Sequence, residues 1–436
     1  MNIILLSGGS GKRLWPLSND IRSKQFIKFL HRPDGELESM VQRVFRQIKT
    51  VDPGASVTIA TAKSQASAIQ NQLGTDVSIS VEPCRRDTFA AIALATAYLK
   101  DCKGVGEEEA VVVCPVDPYV EEDYFQCVKK MVDEVGGNDK KLVLMGIEPT
   151  YPSEKYGYII PTVNGDGTCY DFTEKPDKHT AEEYIRKGAL WNGGVFAYKL
   201  KYVLKKAQEF LGTSSYSELY RDYDRFEKIS FDYAVVEAEK SIDVVRYNGT
   251  WKDLGTWNTL TEAMEEPVIG DGRLNETCVN THVVNELGIP ILVMGGKNLV
   301  VSASPEGILV SDKEQSSYIK PFVDAIDQQV MFAEKSWGSY RVLEVEEDSL
   351  TVKVTLNPGH RMNYHSHEKR DEIWNVIAGD GKAVVDGREL EVKVGDIIHL
   401  PVRCKHTVIA GEAGLKLIEV QLGKEITVSD KHKYAL

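Results

Sequence analysis

An α/β fold is predicted for most of this 436-residue chain, giving way to all-β structure toward the C-terminus. Three observations carry that reading. Short apolar runs alternate with longer amphipathic segments up to about Thr259, and short Val-, Ile- and Gly-rich runs follow. A last stretch then carries turn signals at regular spacing. The chain divides into residues 1–265 with a mostly parallel sheet, a small β segment and linker over 266–330, and a β-barrel over 331–436.

In the first unit, Asn2–Ser7, Val57–Ala60, Ala110–Cys114 and Leu142–Gly146 read as buried strands. Between them, Glu38–Lys49, Lys63–Leu73, Asp87–Lys100 and Glu122–Val135 carry helical periodicity. Such alternation implies right-handed βαβ crossovers and a sheet covered on both faces. In the second unit Pro290–Met294, Leu299–Ser302 and Gly307–Val310 read as short strands, and Val323–Val330 as a linker helix. From Trp337 onward, turns at Asn357-Pro358-Gly359, Ala378–Gly381, Asp386-Gly387 and Ala410–Gly414 separate the strands of a small barrel.

Hydrophobic residues make up 42% and charged residues 27%, the balance of a folded globular chain. The net charge of −13 repels nucleic-acid backbones at long range, which argues against a general nucleic-acid binder. The seven cysteines form no C-x-x-C pair and fit a reducing compartment. Neither a basic leader nor an apolar run long enough for a membrane span is present, so a cytoplasmic location is expected.

The first strand runs into Ser7-Gly8-Gly9-Ser10-Gly11-Lys12-Arg13. Glycines at that place let backbone N–H groups approach a phosphate chain, and Lys12, Arg13 and Lys24 add charge. Neither the Walker A pattern nor G-x-G-x-x-G is present. The stretch SGGSGKRLWPLSNDIRSKQF resembles the signature of the nucleotidyltransferases that make nucleoside-diphosphate sugars. Trp15-Pro16-Leu17-Ser18 and Lys24-Gln25-Phe26 resemble the mannose-1-phosphate guanylyltransferase branch, and further matches follow in order.

That resemblance implies a Rossmann-like nucleotidyltransferase domain, with Ser7, Gly8, Gly9, Gly11 and Lys12 cradling the nucleotide. Glu82, Pro83, Arg86, Asp87 and Thr88 resemble the loop that faces guanine. Gly157, then Glu174 and Lys175, then Asn192 and Gly193 fall in segments that resemble the sugar-binding ones. Asp117 and Asp253 match the aspartates that hold magnesium, and Arg13 and Lys24 are the implied catalytic cations. The implied substrates are GTP and mannose 1-phosphate, and the implied assembly is a homodimer. Chemistry agrees, since magnesium takes carboxylate oxygens and phosphoryl transfer relies on positioning and charge neutralisation. Taken singly, Asp117 also reads as a turn cap before Pro118 and Asp253 as a solvated loop acid; the ordered matches decide between them. Lys12 stands where the family has a small hydroxyl residue, Ser23 where it has proline, Asp87 where it has asparagine, and Pro118 where it has histidine.

Six of the nine histidines lie between His360 and His432, which points to a second site. His365 and His367, two apart in a strand, can share a metal, with Glu372 and His406 as further ligands. Three imidazoles and one carboxylate suit a divalent zinc, manganese, iron, cobalt or nickel ion. The spacing is similar to the two-part cupin motif, with Arg403 and Ala410 in place of a glycine and an asparagine. Trp337–Tyr340, Pro358–Arg361 and Leu417–Gln421 look more narrowly like the phosphomannose isomerase domain, which implies isomerisation of mannose 6-phosphate and fructose 6-phosphate. There His365 replaces a glutamine, and Ser429–Leu436 replaces an arginine-bearing tail. Two alternatives stay open: a pyrophosphorylase for another base or sugar with a non-catalytic cupin, and a non-catalytic regulator that senses a nucleotide sugar.

Overall fold

A computed structural model of the chain describes residues 1–9, 12–137, 140–164, 167–427 and 429–435. Gly11, expected in the phosphate cradle, lies outside the described residues. Strand Asn2–Ser7 is the centre of the large sheet, with Ser56–Ala62 and Ala110–Pro115 parallel on either side. Ser78–Glu82 extends that parallel half. Leu190–Lys199 runs antiparallel to Ala110–Pro115 and joins it to the strands Leu142–Ile147 and Tyr158–Asn164.

Side-chain alternation explains the layers. Ile3 and Leu5 pack with Val41, Val44 and Val128 of helices Met40–Val51 and Glu122–Gly137 on one face. Ile4 packs with Phe89, Ile92 and Leu204 of helices Asp87–Lys103 and Leu200–Leu211 on the other. Both faces are covered, as a parallel sheet requires. The helix expected from Glu38 starts at Met40, because the Ser39 side chain caps it reciprocally with Gln42.

The small β segment pairs Val268–Ile269, His282–Asn285, Leu299–Ser304 and Gly307–Asp312 in one sheet. The linker differs from expectation. Its helix spans Lys320–Asp324, with Pro321 in the first turn, and no helix continues through 326–330. Beyond it the Met331 and Phe332 N–H groups bond the Glu306 carboxylate at 2.9 Å each. The C-terminal unit is a curled antiparallel sheet built on the long strands Asp371–Val385 and His406–Leu422. Trp374 and Leu417, both fully buried, centre its core; burying each such side chain contributes roughly 1.5–3 kcal/mol. No helix among the described residues is long and apolar enough to cross a membrane.

Candidate active site and metal centre

The glycine-rich turn leaves the carboxyl end of the central strand, the end at which open α/β sheets bind ligands. A buried network fixes it. Gln25 Nε2 donates to Ser7 Oγ at 3.1 Å, and Thr61 Oγ1 donates to the Ser7 carbonyl at 2.9 Å. The Gly9 carbonyl accepts from Ser23 Oγ at 3.0 Å and Gln65 Nε2 at 3.1 Å. Ser23 supplies a bond here that a proline lacks. Gly8 and Gly9 are exposed, and Gly9 has φ +100, a conformation that favours glycine. Lys12 pairs with Asp20 at 3.3 Å and Asp324 at 3.2 Å, whereas Arg13 is exposed.

Asp117 follows strand Ala110–Pro115, and Asp253 ends strand Trp251–Asp253. That second strand runs antiparallel to Pro118–Val120 with Asp253 opposite Pro118, so the two carboxylates meet. Lys24 Nζ lies 2.9 Å from Asp117 Oδ2 and 3.1 Å from Asp253 Oδ1. Burial pulls the lysine pKa down, but the two carboxylates outweigh it and the net shift is upward. The pair already presents one oxygen each to a single cation. Each carboxylate stays 47% exposed, so further oxygen ligands could reach a divalent ion such as magnesium if one took the place of the ammonium.

From the two aspartates a cleft of about 220 Å³ continues past Tyr156, Gly157, Glu174, Asn192 and Gly193. The Lys175 ammonium pairs with Glu174 at 2.6 Å. Gly157 is required there, because a Cβ would strike the Glu174 carboxylate and the Phe172 ring. Asn192 Nδ2 donates to Asp232 Oδ1 at 2.6 Å. Burial, then the nearby Glu174 charge, pushes the Asp232 carboxyl up to about 6. Sequence reasoning missed Asp232; the only local signal is structural, a π-helical turn over Asp232–Val236. Trp251 also lines the cleft, with its indole N–H buried and unbonded. A larger hollow of about 470 Å³ lies near Phe332 and Arg341, but no carboxylate or histidine lines it.

The loop expected to face the base precedes helix Asp87–Lys103. Glu82 accepts from the Tyr223 hydroxyl at 2.6 Å, and Thr88 Oγ1 accepts from the Phe231 N–H at 2.9 Å. Those bonds tie the loop to the segment that carries Asp232. Pro83 is exposed, and the Arg86 Nε is buried without a hydrogen-bond partner. Asp87 has φ 67, a left-handed conformation that Asn and Asp tolerate better than other side chains. Exchanging asparagine for aspartate therefore preserves the backbone.

The second site forms where His365 of strand His365–Ser366 pairs with His406. Ligand atoms of His365, His367, Glu372 and His406 lie within 4.8 Å of one another, and all four residues are buried. His365 Nδ1 meets the Asn363 carbonyl at 2.6 Å, His406 Nδ1 meets the Cys404 carbonyl at 2.9 Å, and His367 Nδ1 meets the Asp430 carbonyl. A carbonyl only accepts, so each Nδ1 donates and each Nε2 is left as an acceptor. His367 Nε2 nevertheless lies 2.9 Å from Glu372 Oε1, and His406 Nε2 lies 3.2 Å from Glu372 Oε2. Facing acceptors need a positive group beside them, a proton, a guanidinium or a metal ion. The last two atoms are buried with no hydrogen-bond partner, so the cluster can hold a metal ion. Burial foremost, then Lys431 and His406, pushes His365 down to about 2, which keeps the imidazole in its neutral, ligating form.

Three residues near this centre were not anticipated. Arg370 Nε lies 3.2 Å from Glu372 Oε1, and Arg370 Nη2 lies 3.2 Å from His367 Nε2. Glu419 faces Trp374 across the ladder and accepts its indole N–H at 3.1 Å. Burial and the Glu372 charge push the Glu419 carboxyl up to about 7. Lys431 of the C-terminal tail is held below its ordinary pKa by burial, against the pull of Glu419 and Glu372.

Comparison with known proteins gives two family matches. The nucleotidyl transferase family model matches residues 2–267, and the mannose-6-phosphate isomerase C-terminal model matches residues 324–434. The xanthan biosynthesis protein XanB of Xanthomonas campestris pv. campestris (strain B100) is 28% identical, over 98% of this chain and 96% of its own length. A mannose-1-phosphate guanylyltransferase of Escherichia coli (strain K12) is 27% identical over 99% of this chain and 97% of its own. The crystal structure of mannose-1-phosphate geranyltransferase from Thermus thermophilus covers 74% of this chain and 98% of its own, with a TM-score of 0.61 and 28% identity. The matched span 2–267 contains the glycine-rich turn, the paired aspartates and the cleft between them, and the chain belongs to the nucleotidyl transferase family.

Proposed function

We propose that this enzyme joins GTP and mannose 1-phosphate into GDP-mannose and releases pyrophosphate. A phosphate oxygen of the sugar attacks the α-phosphorus; that P–O bond forms as the bond to the departing pyrophosphate oxygen breaks. The observation that carries this reading is the Lys24 ammonium between Asp117 and Asp253, where the phosphate turn meets the cleft. Lys24 and Arg13 stabilise charge growing on the leaving phosphates. Backbone N–H groups of the Gly8–Gly9 turn orient the triphosphate, and Glu174 and Asn192 take sugar hydroxyls. Asp117 and Asp253 would hold magnesium, which would supply further neutralisation of the phosphate oxygens. The names of the relatives support guanine and mannose as base and sugar.

The C-terminal centre supports a second activity, interconversion of mannose 6-phosphate and fructose 6-phosphate. Its family match and the buried Glu419 carboxyl beside a four-residue cluster favour this over a purely structural barrel. A divalent zinc, manganese, iron, cobalt or nickel ion would polarise the sugar carbonyl.

One screen tests both parts: the four main nucleoside triphosphates crossed with several sugar 1-phosphates, followed by isomerase assays after metal loading. GTP with mannose 1-phosphate is expected to give the highest kcat/KM. Preference for another pair would replace the base or sugar, and no turnover with any pair would leave a nucleotide-sugar sensor.

A further inference from the structure

The loop that carries Arg13 and Lys24 is held on its far side by residues of the small β segment and of the strand that enters the barrel, to which no transferase role has yet been given. Asn19 Nδ2 donates to Glu306 Oε1 at 2.8 Å and to the Phe332 carbonyl at 2.8 Å. Its own Oδ1 accepts the N–H of Ile21 at 2.9 Å and of Arg22 at 2.6 Å, which closes the loop two residues before Lys24. Arg22 then makes a two-pronged pair with Glu286 at 2.7 and 2.9 Å and lies over the Phe332 ring. Asn19, Arg22 and Glu306 are 7%, 8% and 6% exposed, so this junction is dry.

Glu306 is the hub. Besides Asn19, the same Oε1 accepts the N–H groups of Met331 and Phe332, where the chain enters the barrel. Gly307 beside it has φ +148, and a Cβ there would come within 2.6 Å of the Trp15 ring. Ser304 Oγ donates to the Pro16 carbonyl at 2.5 Å. A charged acceptor in a dry junction makes stronger hydrogen bonds than a neutral one. Its bond to Asn19 therefore sets the loop backbone from which Lys24 reaches the paired aspartates.

We propose that Glu306 is a positioning residue for nucleotidyl transfer, acting through Asn19 to hold Lys24 and Arg13 in register with the triphosphate. The inference rests on the transfer reading above and assigns the small β segment a part in turnover. Asn71 supplies the contrast. Its Nδ2 donates to the carbonyls of Lys335 at 2.9 Å and Gly338 at 2.7 Å, a two-bond contact from the first unit to the strands that enter the barrel, made away from the loop.

The test compares full-length wild type with Glu306→Ala, Glu306→Gln, Asn19→Asp and Asn71→Ala, following pyrophosphate release and melting temperature. Misplacing catalytic groups by about 1 Å can cost ~10²-fold, so Glu306→Ala is expected to lower kcat by roughly 10–100-fold with the sugar-phosphate KM within about twofold. Glu306→Gln keeps an acceptor oxygen and is expected to restore kcat to within about threefold of wild type. Asn19→Asp keeps the Ile21 and Arg22 bonds but sets carboxylate against carboxylate, and is expected to lose kcat even if Glu306→Ala does not fold. Asn71→Ala is expected to match wild-type kcat whatever its melting temperature. Wild-type kcat in Glu306→Ala or Asn19→Asp, or equal losses in Asn71→Ala, would overturn the proposal in an enzyme that still turns over. An inactive wild type would instead overturn the transfer reading and this inference with it.

Discussion

The Lys24 ammonium lies 2.9 Å from an Asp117 carboxylate oxygen, and Asp253 reaches the same ammonium from the neighbouring strand. On the proposed transfer reading, a divalent ion would be held by these carboxylates, and the Lys24 cation beside them would neutralise charge on the triphosphate. Lys24→Ala is therefore expected to lower kcat by about 10²–10³-fold with the fold intact, the usual cost of removing one preorganised electrostatic partner. Steady-state pyrophosphate release and circular dichroism check this. In the metal-free protein both carboxylates hold the lysine pKa above its ordinary value, so its charge persists through neutral and mildly alkaline pH.

At the second centre, His367→Ala removes one of four ligands and the link to the Asp430 carbonyl. Purified wild type is expected to carry about one divalent transition metal per chain, and the variant to lose it. Elemental analysis reads this directly. Guanylyl transfer is expected to stay near wild type, because His367 belongs to the C-terminal sheet with its own buried core. No metal in wild type after incubation with zinc or manganese would remove the site.

Asp232 gives a pH signature. Its folded-state pKa of about 6 lies above the ordinary value of 3.8, so its stabilising contribution is complete below 3.8 and lost as pH rises through 6. Asp232→Asn keeps an acceptor for Asn192 while removing the buried charge. The variant is expected to be more stable than wild type at pH 8, by on the order of 1–2 kcal/mol. Denaturant titrations should show that advantage fading near pH 4. An advantage that persists undiminished at pH 4 would place its origin elsewhere.

Gly157→Ala tests the sugar end of the cleft. The new methyl group would strike the Glu174 carboxylate, whose flexible end can swing away, and the Phe172 ring, which cannot do so as readily. The expected result is a rise in the KM for the sugar 1-phosphate of about tenfold or more, with the GTP KM unchanged. Equal changes in both constants would place Glu174 outside the sugar site.

Much of this was legible because backbone pattern and chemistry coincide. NIILLS followed by closely spaced glycines marks both a buried strand and an exposed turn at its carboxyl end. The histidine spacing marks the buried cluster, although His367 lies just beyond the strand that carries His365. Two departures from family pattern make sense only with backbone angles: Asp87 and Arg403 both sit at positive φ, 67 and 68, where asparagine and glycine are the easier residues. The exposed Arg403 side chain donates to Glu368 at 2.8 Å. Arg370 and Glu419 lie within segments the sequence already singles out, but only the sheet register and the packed tail show that they reach the centre. Nothing near Asp232 in sequence marks it, and a π-helical turn presents it to the cleft. The linker helix lies earlier than expected, at Lys320–Asp324. The chain beyond it is held by Glu306, which takes the N–H groups of Met331 and Phe332 from 25 and 26 residues away in sequence.

The most direct measurement is pyrophosphate release from GTP and mannose 1-phosphate with magnesium, for wild type, Asp117→Asn and Asp253→Asn side by side. Wild type is expected to release one pyrophosphate per GDP-mannose formed. Each variant is expected to fall to background while keeping its fold, since each removes half of the carboxylate pair that meets at Lys24. Near wild-type turnover in both variants would contradict the assignment of the site.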